Sequence, residues 1–186
     1  MSNPFFTIGH STRPIDEFVA LLTTAEVKLV VDVRTVPRSR TNPQFNRDAL
    51  PASLAAHGIA YEHLASLGGL RGKQPGVNSD VNGFWKNASF HNYADYALSQ
   101  EFRSGLEKLR ALGHTARLTV MCAESLWWRC HRRVISDYLI AAGEEVFHIL
   151  GAGHVDQARL TPEARVEPDG RLTYPKDLQA TLDLAP

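Results

Sequence analysis

The sequence predicts an α/β fold, a single domain with a mostly parallel five-stranded sheet, helices on both faces and a polar C-terminal tail. Three observations carry that expectation. Short apolar runs alternate with amphipathic segments through the N-terminal half, the pattern of strands joined by crossover helices. The run VKLVVDV, Val27 to Val33, is almost continuously apolar and rich in β-branched residues, as a strand covered on both faces requires. No linker is long enough to divide the 186 residues, so one domain is expected over 1–186, with a core at about 4–154 and residues 155–186 packed over it.

The elements follow in order. FFTIG, Phe5 to Gly9, reads as the first strand. Ser11 or Thr12 can cap the next helix, in which Ile15, Phe18, Val19 and Leu22 fall at helical spacing and Asp16 and Glu17 lie near the positive end. The second strand ends in Asp32 and Arg34. A loop with two prolines follows, then a short helix around Arg47 to His57, stopped by Gly58, and a third strand in IAYEHL. From Ala65 to Ser89 the chain is rich in Gly, Asn and Lys and too long for an ordinary connection, which marks a lid or binding loop. A helix is expected over Tyr93 to Gly113, a buried strand in ARLTVMCA, a helix in HRRVISDYLIAAG ending at Gly143, and a last strand in EVFHIL. Beyond Gly151 the chain turns polar, and EPDGRLTYP carries a Pro-Asp-Gly turn between short extended pieces.

Composition narrows the function classes. Lys and Arg total 20, as do Asp and Glu, so no global charge draws the chain to nucleic acid, although a local basic patch is compatible with the balance. No apolar run approaches the roughly 20 residues that span a bilayer. Two cysteines make no disulfide framework, and the N-terminus lacks a basic start and long apolar run, so a reducing cytoplasm is the expected compartment and no membrane partner is expected.

In an open parallel sheet the residues just after the strands gather along one edge, where ligands bind. That ordering collects His10 and Ser11, Asp32 and Arg34, His63 with the glycine loop, Cys122 and Glu124, and Gly151 and His154. Cys122 ends a buried strand close to a helix N-terminus and to arginines, where a thiolate can be stabilised. A buried structural cysteine is the alternative there, and the more so at Cys130. A phosphatase loop fails on spacing, because the sixth position after Cys122 is Trp128 and the arginine comes one later. A metal set of Cys122, Glu124, Cys130 and His131, with His10 in reserve, has admissible ligand types but no short-range ligand pair. Adjacent Cys130 and His131 would also diverge on a helix, so a metal ion is not favoured.

Arg132 and Arg133 sit at a helix start, where cations oppose the dipole, so either a bound anion or a salt bridge to Asp32 or Glu124 accounts for them. The GHS turn can hold an anion on backbone amides and Ser11, with His10 as acid or base, or can serve as a helix cap. The glycine loop lacks the Walker pattern, with Leu67 and Gln74 at required positions, so triphosphate hydrolysis has no support. Phe84, Trp85, Trp127 and Trp128 either stack on a planar ligand or close the core beneath the long loop.

Taken together, TIGHS, VVDVRTVPRSR, FNRDALPASLAAHGIAYEHLASLGG, MCAES, CHRRVISDYL and VFHI resemble the domain-of-unknown-function 488 family of prokaryotes, with ARVEPDGRLTYP similar as well and the bulky LWWR a departure. The resemblance implies a compact α/β domain whose characteristic polar residues are His10, Ser11, Asp32, Arg34, Cys122, Glu124, Cys130, His131 and Arg132. It implies no reaction. The chemistry of the residues leads to an enzyme acting on an anionic, nucleotide-like small molecule or nucleic-acid component, with Cys122, Glu124 and His10 as catalytic candidates. Ser11, Asp32, Arg34, His131 and Arg132 are then the substrate-binding candidates. A nucleic-acid-binding module using Arg34, Arg38, Arg40, Arg71 and Lys73, and a scaffold fixed by an ion-pair network of Asp32, Arg34, Glu124 and Arg132, are the rivals.

Overall fold

A computed structural model describes residues 3–176. Five parallel strands form the sheet: β1 (Phe5–Gly9), β2 (Leu29–Asp32), β3 (Ala60–His63), β4 (Leu118–Cys122) and β5 (Val146–Gly151). A sixth, β6 (His154–Gln157), adds antiparallel to β5, giving the order β3-β2-β4-β1-β5-β6. The central strands β1, β2 and β4 are buried at every position, which is why their sequences are continuous apolar runs rather than alternating ones.

Each face of the sheet has its own core. On one, α1 (Ile15–Thr24) and α2 (Leu50–Ala55) bury Phe18, Leu22, Leu50 and Leu54 against Ile8, Val30 and Met121. On the other, α3 (Ala88–Tyr96), α4 (Gln100–Thr115) and α5 (Arg132–Ala141) bury Tyr93, Phe102, Leu109 and Ile135 against Phe5, Val31 and Val120. The alternation of side chains along β4 sends Met121 to the first face and Cys122 to the second. None of the helices is long and apolar enough to cross a membrane among the described residues.

Three local expectations are corrected. Neither Ser11 nor Thr12 caps α1: its N-cap is Pro14 with no side-chain cap, and Ser11 instead adopts φ 50 in the tight exit from β1. The helix expected over Tyr93 to Gly113 is two helices, because Ser99 takes an extended backbone and its hydroxyl accepts from the Phe102 amide, starting α4 afresh. Residues 154–157, largely assigned to the tail, complete the sheet, since β5 and β6 pair across a tight turn with Gly153 at φ 67.

The Pro-Asp-Gly turn joins the two short strands β7 (Arg165–Val166) and β8 (Leu172–Thr173). Leu172 and Tyr174 are fully buried. The Asp137 carboxylate ties this segment to α5, accepting from the Thr161 amide at 2.8 Å and the Tyr174 hydroxyl at 2.9 Å. The expected tail runs on through 177–186, which lie outside the described residues.

Candidate functional site

At the carboxyl ends of β1, β2 and β4 lies a cavity of about 700 Å³. Its walls include His10, Ser11, Arg34, Cys122, Glu124, Cys130 and His131, so seven of the nine polar residues singled out in the sequence meet there. Asp32 and Arg132 lie behind the wall, bonded to Arg34 and Cys122 respectively. The glycine loop contributes Gly69 and Leu70, and α3 contributes Ser89, Phe90 and Tyr93. Gly151 and His154 do not line it, and the ring of His63 faces the Arg34 carbonyl at 2.8 Å.

Arg34 is locked in place. Its Nε donates to Asp32 Oδ1 at 2.9 Å and its Nη2 to Asp32 Oδ2 and to the Phe45 carbonyl, both at 2.6 Å. Asp32 Oδ2 also accepts from the Tyr61 hydroxyl at 2.8 Å. The remaining Nη1 lies 3.2 Å from His10 Nε2, and His10 Nδ1 lies 2.8 Å from the Ser11 carbonyl. Only the neutral imidazole with its proton on Nδ1 suits both neighbours. Burial, with the charge of Arg34, lowers the His10 pKa to about 4, against the partial support of the Ser11 carbonyl. His10 also stacks on Phe45. The GHS amides are not free for an anion either: those of His10 and Ser11 donate to the carbonyls of Cys122 and Ala123.

The cysteines form the floor of the cavity. Both are buried free thiols, and their sulfurs lie 2.8 Å apart. Arg132 is 1% exposed, and its Nε donates to Cys122 Sγ at 2.9 Å. The rest of its guanidinium reaches Thr7 Oγ1 and the Glu124 and Ser125 carbonyls. Among the described residues it has no carboxylate within ion-pair distance, so of the two alternatives the sequence allows, the salt bridge to Asp32 or Glu124 does not form. Glu124 is exposed, and its carboxylate turns back on the Leu126 amide at 3.2 Å. The four-membered ion-pair network is therefore only the Asp32–Arg34 pair.

Cys130 and His131 do not diverge, because Cys130 is extended ahead of α5 and only His131 begins the helical turn. His131 Nδ1 lies 3.4 Å from Cys130 Sγ, and His131 Nε2 lies 3.2 Å from the Val33 carbonyl. Donation to that carbonyl places a proton on Nε2 and turns Nδ1 toward the thiol. Burial opposes ionisation of Cys130, but the hydrogen bond from Cys122, the adjoining His131 and the charge of Arg132 outweigh it and hold Cys130 well below the usual thiol range. Burial and the adjoining Cys130 push Cys122 well above it. The two sulfurs thus lie against each other, and a fully buried guanidinium lies against Cys122.

The sequence leaves Cys122 evenly balanced between nucleophile and core and leans to the core at Cys130, whereas the structure sets His131 against Cys130 and the Arg132 guanidinium against Cys122. The i, i+1 pairing of Cys130 with His131 was visible, but the extended geometry that turns them together was not. The mouth holds two more cations, the exposed Arg38 and Arg129. Among the described residues neither guanidinium has an ion-pair or hydrogen-bond partner. Arg71, by contrast, lies over the Tyr96 ring and donates to the Gly68 and Ala65 carbonyls, so it and Arg34 do not contribute to an open basic face. Of the aromatics, Trp85 closes the core against Phe90 and Tyr174, Trp127 stacks on His148, and Trp128 is exposed. No group of three or more His, Cys, Asp or Glu side chains among the described residues is placed to hold a metal ion.

A family model described as Domain of unknown function DUF488 matches residues 14–139, which is more than half of the chain. The chain belongs to this family. The matched stretch contains β2 to β4 and the whole of the cysteine, histidine and arginine cluster, while β1 with His10 and Ser11 lies before it. No curated protein and no solved structure gives a significant match.

Proposed function

We propose that the protein is an enzyme that uses a cysteine thiolate on an anionic substrate bound in the cavity at the sheet edge. The single observation that supports this most is the thiol pair Cys122 and Cys130 on the cavity floor, against a buried arginine with no carboxylate partner among the described residues. An arginine stays charged at every physiological pH, and a buried charge without an opposite charge is costly. A thiolate shared by the two sulfurs meets that need, and it is also a nucleophile.

In this reading Cys130 is the nucleophile, His131 exchanges its proton through Nδ1, and Arg132 is the positioning residue that keeps the pair ionised. Arg38 and Arg129 receive the anionic part of the substrate at the mouth. His10 and Arg34 shape the wall; with Nε2 of His10 facing Arg34, the imidazole serves as a neutral hydrogen-bonding surface rather than as the proton acceptor. Glu124 stands exposed at the rim, its carboxylate accepting from the Leu126 amide. Ser11 offers a hydroxyl to the substrate.

Alkylation of the native protein tests this, read residue by residue with anionic iodoacetate and neutral iodoacetamide. Cys130 should react below the ordinary thiol pKa of about 8.5. The preference for iodoacetate should fall roughly tenfold in Arg38→Ala/Arg129→Ala, the order of an electrostatic steering effect. Reaction of neither cysteine before denaturation would overturn the proposal.

A further inference from the structure

We infer that Cys122 and Cys130 work as a dithiol couple that reduces a small disulfide carrying carboxylates, with Cys130 attacking and Cys122 resolving. The inference rests on the reading of Cys130 as a nucleophile in this cavity and names the substrate class for it. Its observation is the 2.8 Å contact between the two sulfurs, about 0.75 Å beyond the ~2.05 Å of a disulfide bond. A nucleophile for acyl or phosphoryl transfer has no use for a second thiol in contact with it. For disulfide exchange that second thiol is the group required, since it intercepts a mixed disulfide on Cys130 before any external thiol reaches this buried position.

The surroundings suit that chemistry. Exchange proceeds through attack of a thiolate on a disulfide sulfur, and Arg132 Nε, bonded to Cys122 Sγ, favours ionisation of the resolving thiol as the pair's first charge is spent. The cavity of about 700 Å³ has room for a small organic disulfide, and Arg38 and Arg129 at its mouth select one bearing carboxylates.

The steps balance. The Cys130 thiolate attacks one sulfur of R–S–S–R; the Cys130 Sγ–S bond forms, the substrate S–S bond breaks, and the first RS⁻ leaves. Cys122 gives its proton to that leaving thiolate or to solvent and attacks Cys130 Sγ, expelling the second RS⁻, which is protonated from solvent. Two cysteine sulfurs have lost two electrons to become one disulfide, and R–S–S–R has gained them to become two RSH. A low-molecular-weight thiol returns the protein to the dithiol by the reverse exchange.

The probe is dithiobis-nitrobenzoate, an anionic aromatic disulfide whose released thiolate is coloured. The reduced native protein should release two coloured thiolates per chain, keep no adduct, and end with a Cys122–Cys130 disulfide on peptide mapping. Cys122→Ser, shown to be folded by circular dichroism, should release one and retain the adduct on Cys130. Cys122→Ala is the second variant should serine disturb the contact with Arg132. One thiolate released with the adduct retained in the native protein would overturn the couple and leave the nucleophile reading standing. No reaction at Cys130 in the native protein would overturn both.

Discussion

The guanidinium of Arg132 lies against the sulfur of Cys122, Nε to Sγ 2.9 Å, where the sequence allows either a bound anion or a carboxylate as its partner. Arg132→Gln keeps a hydrogen-bond donor and removes the charge. Because breaking a buried charge pair costs about 3–5 kcal/mol, the variant should lose stability of that order in urea unfolding, and the ionisation of the cysteine pair should move up toward the usual thiol range. A variant as stable as the native protein, with the pair titrating unchanged, would show that Arg132 is not its counter-ion.

Gly69 packs directly on the imidazole of His131: a Cβ there would lie 2.4 Å from Nδ1. Its φ is not in the left-handed region, so alanine strains the contact rather than the backbone. Gly69→Ala should displace the ring from Cys130 and slow alkylation of that cysteine roughly tenfold at neutral pH, within the range general-base assistance supplies. Urea unfolding should change far less than in Arg132→Gln. An unchanged alkylation rate would remove His131 from the account.

Acid should destabilise the fold through two histidines. Burial and the nearby Arg34 lower His10 to about 4, and burial with the charge of Arg132 lowers His148 to about 3, both from 6.5. The unfolded chain therefore takes up protons below 6.5 that the folded chain refuses. Their contribution is complete above that pH and is lost on acidification at about 1.4 kcal/mol per pH unit for each, until the folded-state values are reached. His148→Asn, which retains an acceptor for the Thr7 hydroxyl, should flatten the slope between pH 6.5 and 4 by about one histidine. Parallel stability curves for the two proteins would contradict this.

Gly113 occupies the last turn of α4, where alanine ordinarily gains about 1 kcal/mol in helix propensity. Here a Cβ would fall 2.2 Å from the Phe5 ring, which is rigid and fully buried. Gly113→Ala should therefore destabilise by about 1–3 kcal/mol in thermal or urea unfolding, an overpacking cost opposite in sign to the propensity change.

How much of this was legible in the sequence depends on the range of the interactions. The five parallel strands and α1, α2 and α5 follow from local apolar patterning, and the rule for parallel sheets brings His10, Arg34, Cys122 and Glu124 to one cavity although they are far apart in the chain. What the sequence does not show is direction. The carboxylate of Glu124 turns into its own loop, and its carbonyl, not its charge, meets Arg132. Cys130 and His131 meet because one is extended and the other begins a helix, a boundary that periodicity locates only to within a residue or two. Thr7, Asp137 and His148 carry no sequence signal of their polar contacts; each lies within a buried strand or helix and bonds to partners from distant segments.

The central claim is that the cysteine pair carries a thiolate at neutral pH as the counter-ion of Arg132. Titration of thiolate ultraviolet absorbance in the native protein, compared with Cys130→Ser and Arg132→Gln, addresses it directly. The account predicts one thiolate per chain already present at neutral pH, with its titration moved up toward the usual range in both variants. A native protein that shows no thiolate until about pH 8.5 or above, the range of an unperturbed cysteine, would contradict it.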